Sequence, residues 1–387
     1  MGIIFVSTIL TMAMLLSGCS GKTPNGTSEN ASPDNGIASI DDGVTKICLL
    51  INGNLGDMSF FDSANAGMVK FAEDHPDVEV KVVEMGADNT KWEPTLRQTA
   101  NEAYDLIIVG TTDMREPLQQ LVRNSKYSDR RFIIFDTEIE DNASENYPTV
   151  HSIQFKQNEG GYLAGALAAM LSKEQGVANT GFIGGMKIDI INDFGFGFMQ
   201  GVERVNADYS SNILAYNSYI GDFTNSPKGK SLADTMYQEG GASILFAAAS
   251  QAGLGCLDSA KNNDRLIIGV DSDQYEYFAD VDSEKAEKIV TSVLKRVDLA
   301  LYEACEAFLD GSLSYGDLDY LGIKEGKIGI VDNEIYQTLV SQEIRDYINK
   351  LQTEIVNGTI QVESGLKRYT STENLNAKYD LLDPNKQ

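Results

Sequence analysis

The chain has 387 residues and a formal net charge of −26, with 42% apolar and 9% aromatic side chains. That length accommodates two lobes of roughly 150–180 residues each. A surface this acidic repels phosphate backbones and argues against nucleic acid as a partner. With only two histidines, His75 and His151, far apart, and no paired cysteines at ligand spacing, neither a metal nor a cofactor is expected.

The chain opens on an apolar run, Ile3 to Leu16. A membrane span takes roughly 20 such residues, so this run suits the apolar core of an export signal instead. It ends in Leu16-Ser17-Gly18-Cys19, which resembles a bacterial lipobox. Residues 1–18 are therefore read as a lipoprotein signal peptide, with Cys19 acylated as the new N-terminus and holding the protein at the outer face of a bacterial cell membrane. Residues 1–18 depart from the usual signal in having no Lys or Arg. Residues 19–45, rich in Ser, Asn, Gly, Asp and Pro, bury too little apolar surface to offset their conformational entropy and read as a flexible tether.

From Lys46 onward short apolar runs alternate with amphipathic stretches. Strands are expected at 46–53, 78–86, 104–110, 130–136 and 149–155, with helices at 63–72, 92–103, 114–124 and 158–172. A second series has strands at 180–185, 213–220, 242–250 and 265–271, with helices near 190–206, 229–239 and 252–263. Continuous apolar strands separated by helices mean parallel sheets covered on both faces. Two such series imply an α/β chain of two doubly wound lobes. A helix over 284–310 and the segment 320–357 are expected to carry the chain back between them. The expected division is 46–154 plus 272–318 for the first lobe and 155–271 plus 319–362 for the second, with 363–387 a polar tail. Cys48, Cys256 and Cys305 lie in apolar stretches and read as buried hydrophobes.

In open α/β sheets ligands bind beyond the carboxyl ends of the strands. The loops that follow the strands supply Asn52, Asp57, Thr111, Asp136, Gly253 and Asp271 as candidates. Gly195-Phe-Gly-Phe-Met-Gln-Gly201 has the wrong spacing for a dinucleotide loop and no strand running into it, and Thr224–Ser231 lacks the leading glycine of a phosphate loop. The latter reads as a helix start with Ser226 as cap and Pro227 in the first turn. No nucleophile elbow occurs. Phe194 and Phe198 share a helix face and Phe196 points elsewhere. Asp271 and Asp273 fit a turn or helix cap, and Lys295 fits a snorkelling lysine on an amphipathic helix.

The segments GNLGDMSFFDSA (53–64), FKQNEGGYLAGALAA (155–169), GDFTNSPKGKSLAD (221–234), IIGVDSDQ (267–274) and TSVLKRVD (291–298) resemble, in order and spacing, the basic-membrane-protein (Bmp) family of nucleoside-binding lipoproteins. The resemblance spans about residues 46–362. It implies a type I periplasmic-binding-protein-like fold, two lobes joined by a multi-strand hinge, acting as a monomer with an ABC permease and its ATPase. It implies further that a base lies between Phe60 and Phe194, and that Asp271 and Lys295 hold the ribose hydroxyls. Asn52 stands where the family usually has an Asp for the base edge, and Phe61 where many members have Asn. Nothing in this set activates water or a nucleophile, so binding rather than catalysis is expected. A sugar receptor of the same fold is the alternative; a nucleoside-cleaving enzyme would need a phosphate or calcium site that the sequence does not offer.

Overall fold

The computed structural model describes residues 43–139 and 143–366. The expected signal peptide, Cys19, nearly all of the tether and the tail beyond 366 lie outside these residues. Among the described residues no helix is long and apolar enough to cross a membrane.

The chain runs β1 (Thr45–Ile51), α1 (Phe60–Asp74), β2 (Val78–Glu84), α2 (Trp92–Asn101), β3 (Leu106–Gly110), α3 (Arg115–Val122), β4 (Arg131–Phe135), α4 (Ala143–Asn146) and β5 (Val150–Phe155). The strands β1, β3, β4 and β5 are buried almost throughout, as parallel strands covered on both faces must be. The edge strand β2 instead alternates, with its Glu and Lys side chains in solvent.

After β5 the chain crosses to a second sheet. It continues through α5 (Gln157–Glu174), β6 (Asn179–Gly184), α6 (Asp189–Tyr209), β7 (Leu214–Tyr219), α7 (Ser226–Gln238), β8 (Ala242–Ala248), α8 (Ser250–Asn262), β9 (Leu266–Asp271), α9 (Gln274–Phe278), α10 (Ser283–Ala286) and β10 (Ile289–Lys295). It returns to the first sheet through α11 (Val297–Leu309) and β11 (Asp317–Leu321). A last crossing leads to β12 (Ile328–Ile330), α12 (Glu334–Leu339) and α13 (Gln342–Val356). The first sheet has the order β11-β5-β4-β3-β1-β2, all parallel; the second is β12-β10-β9-β8-β6-β7, parallel except for β12. Three segments thus connect the lobes, and they are tied to one another: Lys156 N donates to Leu321 O and Arg296 N to Lys327 O, both at 2.8 Å.

The structure departs from four expectations here. Residues 284–310 are not one helix, because a seven-residue strand, β10, separates α10 from α11. Lys295 therefore closes a buried strand and is not a snorkelling helix residue. Strand β10 also pairs with β9 in the second sheet, although it falls in the 272–318 stretch expected in the first lobe. Only the part from α11 to β11 returns to the first sheet, where α11 packs on α1. The cap of α7 is Asn225, one residue earlier than expected, whose side chain accepts from Lys228 N.

The glycines of α5 and α6 have a packing role. A Cβ on Gly161 or Gly165 would stand 2.2 or 1.9 Å from a carbonyl oxygen of α6, and one on Gly197 or Gly201 would meet α5 at 2.0 or 2.1 Å. Two helices crossing backbone to backbone tolerate only hydrogen at these positions. The glycine-rich stretch 195–201 serves this contact. Cys48, Cys256 and Cys305 are free and buried, and burial pushes the first two thiols up to about 12.

Candidate functional site

In each sheet the strand order reverses once near the middle: between β1 and β3 in the first and between β6 and β8 in the second. A doubly wound sheet leaves its crevice at that switch point, since the following helices depart to opposite faces. The two crevices face each other and enclose a cavity of about 450 Å³, lined from both lobes.

On the first-lobe side, Asn52 follows β1 and Thr111 follows β3. Asn52 Nδ2 donates to Thr111 Oγ1 at 2.7 Å across the switch point, while the buried Asn52 Oδ1 has no hydrogen-bond partner among the described residues. Asp57 organises the next loop. Its carboxylate accepts from the backbone N–H groups of Ser59 (3.1 Å), Phe61 (3.0 Å) and Asp62 (3.1 Å), so it serves the open N-terminus of α1, where Ser59 makes no side-chain cap bond. It also takes the Ser250 hydroxyl of the second lobe at 2.9 Å. Burial pushes the Asp57 carboxyl up, and these hydrogen bonds oppose that. Phe60, half-buried, stacks on Phe135 with centroids 5.7 Å apart and lines the cavity.

From the second lobe, Phe194 enters the cavity wall from the second turn of α6, edge-on to Phe246 at 5.8 Å. Phe198 packs in the core against Phe182 and Phe246, and Phe196 lies against Gly365, so one of the three rings reaches the site. Asp271 ends β9 and accepts from the Ser59 hydroxyl of the first lobe. Lys295 ends β10, and its ammonium binds Asp136, at the end of β4. The Lys295 Nζ lies 5.2 Å from the Phe60 ring, 5.2 Å from Phe155 and 5.6 Å from Phe194, close enough for the ring faces to attract it.

Burial pushes Asp271 up to about 7, with the Lys295 ammonium and the Ser59 hydroxyl pulling it back and the carboxylates of Asp57 and Asp136 adding to the rise. Burial also raises Asp136, against the pull of Lys295. Among the described residues the cavity wall holds five aspartates (57, 113, 136, 222 and 271) and one lysine. Among the described residues no group of three or more His, Cys, Asp or Glu could hold a metal ion.

The backbone is strained where it meets the cavity. Thr111 (φ 70°), Asp136 (58°), Ser250 (48°) and Asp271 (68°) all adopt left-handed conformations without being glycine, and all line it. Each costs of order 1–3 kcal/mol, and for a β-branched residue such as Thr111 the conformation is a clear outlier. Strain of this kind persists where the surroundings fix a side chain in place.

The structure thus brings eight of the nine expected site residues to one cavity: Asn52, Asp57, Phe60, Thr111, Asp136, Phe194, Asp271 and Lys295. Gly253 is the exception. It sits in the first turn of α8 with its N–H directed at Ala249 O, and it does not line the cavity. Ser250 and Ala249, earlier in the same loop, do so instead. Asp273, which also fitted a cap, is the cap of α9. Trp92 was not expected; it opens α2, donates its indole N–H to Gly86 O at 2.8 Å and lines the cavity. The strand-end rule points equally to the loop after β2, which leads to it.

Comparison with known proteins agrees with this fold. The family model for Bmp, described as "ABC transporter substrate-binding protein PnrA-like", matches residues 44–365. Basic membrane protein A of Borreliella afzelii is 28% identical over 346 residues, covering 86% of this chain and 96% of that protein. A Lactococcus lactis subsp. cremoris protein named "ABC transporter nucleoside-binding protein BmpA" is 28% identical over 377 residues, covering 94% and 99%. Among solved structures, a solute-binding protein of an ABC transporter system from Aeropyrum pernix K1 superposes with a TM-score of 0.76 at 24% identity, covering 88% of this chain and 97% of that one. An ABC transporter periplasmic solute-binding protein from Actinobacillus succinogenes, with bound D-allose, has the same fold at a TM-score of 0.58 and 17% identity, covering 76% and 99%. The chain belongs to the Bmp family of PnrA-like ABC transporter substrate-binding proteins.

Proposed function

We propose that the protein is a lipid-anchored extracytoplasmic receptor that binds nucleosides between its lobes and delivers them to an ABC permease with its ATPase. The observation that carries this reading is the grouping of Phe60, Phe194, Asp271 and Lys295 in one cavity, two from the opening turns of helices and two from strand ends, drawn from both lobes. A base stacked on an aromatic ring gains roughly 1–3 kcal/mol with little dependence on which base it is. Vicinal ribose hydroxyls suit a carboxylate beside an ammonium, because charge-assisted hydrogen bonds are about twice as strong as neutral ones. Asn52 Oδ1 would accept from a base edge, and Asp136 would hold Lys295 in position. Closure of the two lobes excludes water from these contacts, as in hinge-type binding proteins. The protein binds and releases; it does no chemistry on the ligand. Acylation at Cys19 would keep it at the membrane, as a monomer.

The name of the Lactococcus relative supports a nucleoside over a free sugar. Native mass spectrometry of the protein as purified from cells tests the choice. A retained species with the mass of a nucleoside supports the reading. A retained hexose or pentose would assign the protein to sugars instead.

A further inference from the structure

Helix α6 begins without a local cap. Its N-cap residue, Ile188, makes no side-chain hydrogen bond to the first turn, yet that turn and the next supply Ile190, Ile191 and Phe194 to the cavity. An uncapped helix start leaves its first N–H groups unserved and frays readily. Later residues of the helix are instead tied to neighbouring segments. Residues 362–366, nearly all in the expected polar tail, run as a strap beside α5 and α6. Asn158 Nδ2 donates to Val362 O at 2.8 Å. The Gln200 amide bonds the Glu363 backbone in both directions, at 2.9 and 2.8 Å.

The strap is anchored on Asp193, a fully buried carboxylate beside Phe194 in the chain. Asp193 accepts from the Ser364 hydroxyl (2.8 Å), Gly365 N (2.6 Å) and Gln157 Nε2 (2.7 Å), and from the backbone of Asn158. A side chain at Gly365 would stand 2.3 Å from the Phe196 ring, so the strap passes where only glycine fits. Burial pushes Asp193 up to about 7 while its donors pull it back, so an ionisable group is kept here at a cost in stability. An apolar residue would avoid that cost but could not receive donors from two separate segments.

We propose that Asp193 and the strap form a positioning element for Phe194, tying the second turn of α6 to the start of α5 and holding the second-lobe ring in its ligand-ready place. This rests on the reading of Phe194 as a wall of the nucleoside cleft. All the groups involved belong to the second lobe, so the element keeps its geometry while the lobes open and close. The ring is then ordered before the ligand arrives, which lowers the entropy cost of binding.

Two measurements on the full chain test this. In ligand-free protein, Asp193→Asn and Ser364→Ala should each raise amide hydrogen exchange across residues 189–196 at least tenfold, with α8 unchanged. In nucleoside titrations, Asp193→Asn should weaken inosine binding about tenfold in the wild-type background and less than twofold when Phe194 is already Ala. Unchanged exchange in both variants overturns the proposal, whether or not nucleosides bind. So does an equal affinity loss with and without the Phe194 ring, because Asp193 would then act by another route. If the wild-type protein bound no nucleoside, the cleft reading would fall, and the exchange result alone would decide whether the strap orders α6.

Discussion

Lys295 at the end of β10 and Asp136 at the end of β4 belong to different sheets, and their ion pair closes the floor of the cleft. Both side chains are nearly inaccessible, at 2% and 10% exposure. Opening the lobes would separate the two charges and return them to water. The pair therefore favours the closed state more than it favours the fold. Lys295→Met, which keeps most of the aliphatic stem, should lower nucleoside affinity by about 1.5–3 kcal/mol, the usual worth of a hydrogen bond to a charged group. Its urea midpoint should stay near that of the wild type. Calorimetric titration and urea denaturation check the two halves, and a large loss of stability with intact affinity would contradict the assignment.

Asp271 should discriminate among ligands. With Ser59 already donating to its carboxylate, the remaining acceptor capacity is available to a ribose hydroxyl. Asp271→Ala leaves that hydroxyl without its acceptor, whereas a 2′,3′-dideoxynucleoside never made the contact. Titrations should show ribonucleosides losing about tenfold more affinity than their dideoxy counterparts. A wild-type ratio in the variant would remove the ribose role from Asp271.

The same residue makes stability depend on pH. Its folded-state value of about 7 stands above the ordinary 3.8, so between those limits the folded protein holds more protons than the unfolded chain. This group's contribution is most favourable below about pH 4 and declines as pH rises to about 7. Asp193 acts with the same sign in the same window. Asp271→Asn removes one such contribution, so its thermal midpoint should gain on the wild type by more at pH 8 than at pH 5. An equal difference at both pH values would show that Asp271 ionises normally.

Much of this organisation was legible in the chain. Runs such as Leu106–Gly110 and Leu266–Asp271 announce buried parallel strands, and the strand-end rule leads from them to Asn52, Thr111, Asp136 and Asp271. Lys295 was misread for a physical reason. Val290, Val293, Leu294 and Val297 suit a helix face and a short buried strand alike, and only pairing with β9 decides between them. The strap was hidden because its order comes from Asp193, Asn158 and Gln200, some 160–200 residues away in sequence. The left-handed backbone at Thr111 leaves no trace in a residue type that ordinarily avoids it.

Trp92 provides an intrinsic probe of the site. It is the only tryptophan in the chain, it is fixed through its indole N–H, and it lines the cavity. Adding inosine should shift or quench its emission in a saturable way, and Trp92→Phe should abolish the signal while leaving calorimetric binding detectable. Saturable binding by calorimetry with no change in Trp92 emission would place the ligand away from this wall.

On this reading the cleft holds a nucleoside by its base and its ribose together. The most direct test is a calorimetric titration of the exported body with inosine, adenosine, cytidine, ribose and galactose under one set of conditions. One-to-one saturation is expected with at least one nucleoside, and no detectable heat from either free sugar. Tight binding of ribose or galactose, with none of any nucleoside, would contradict it.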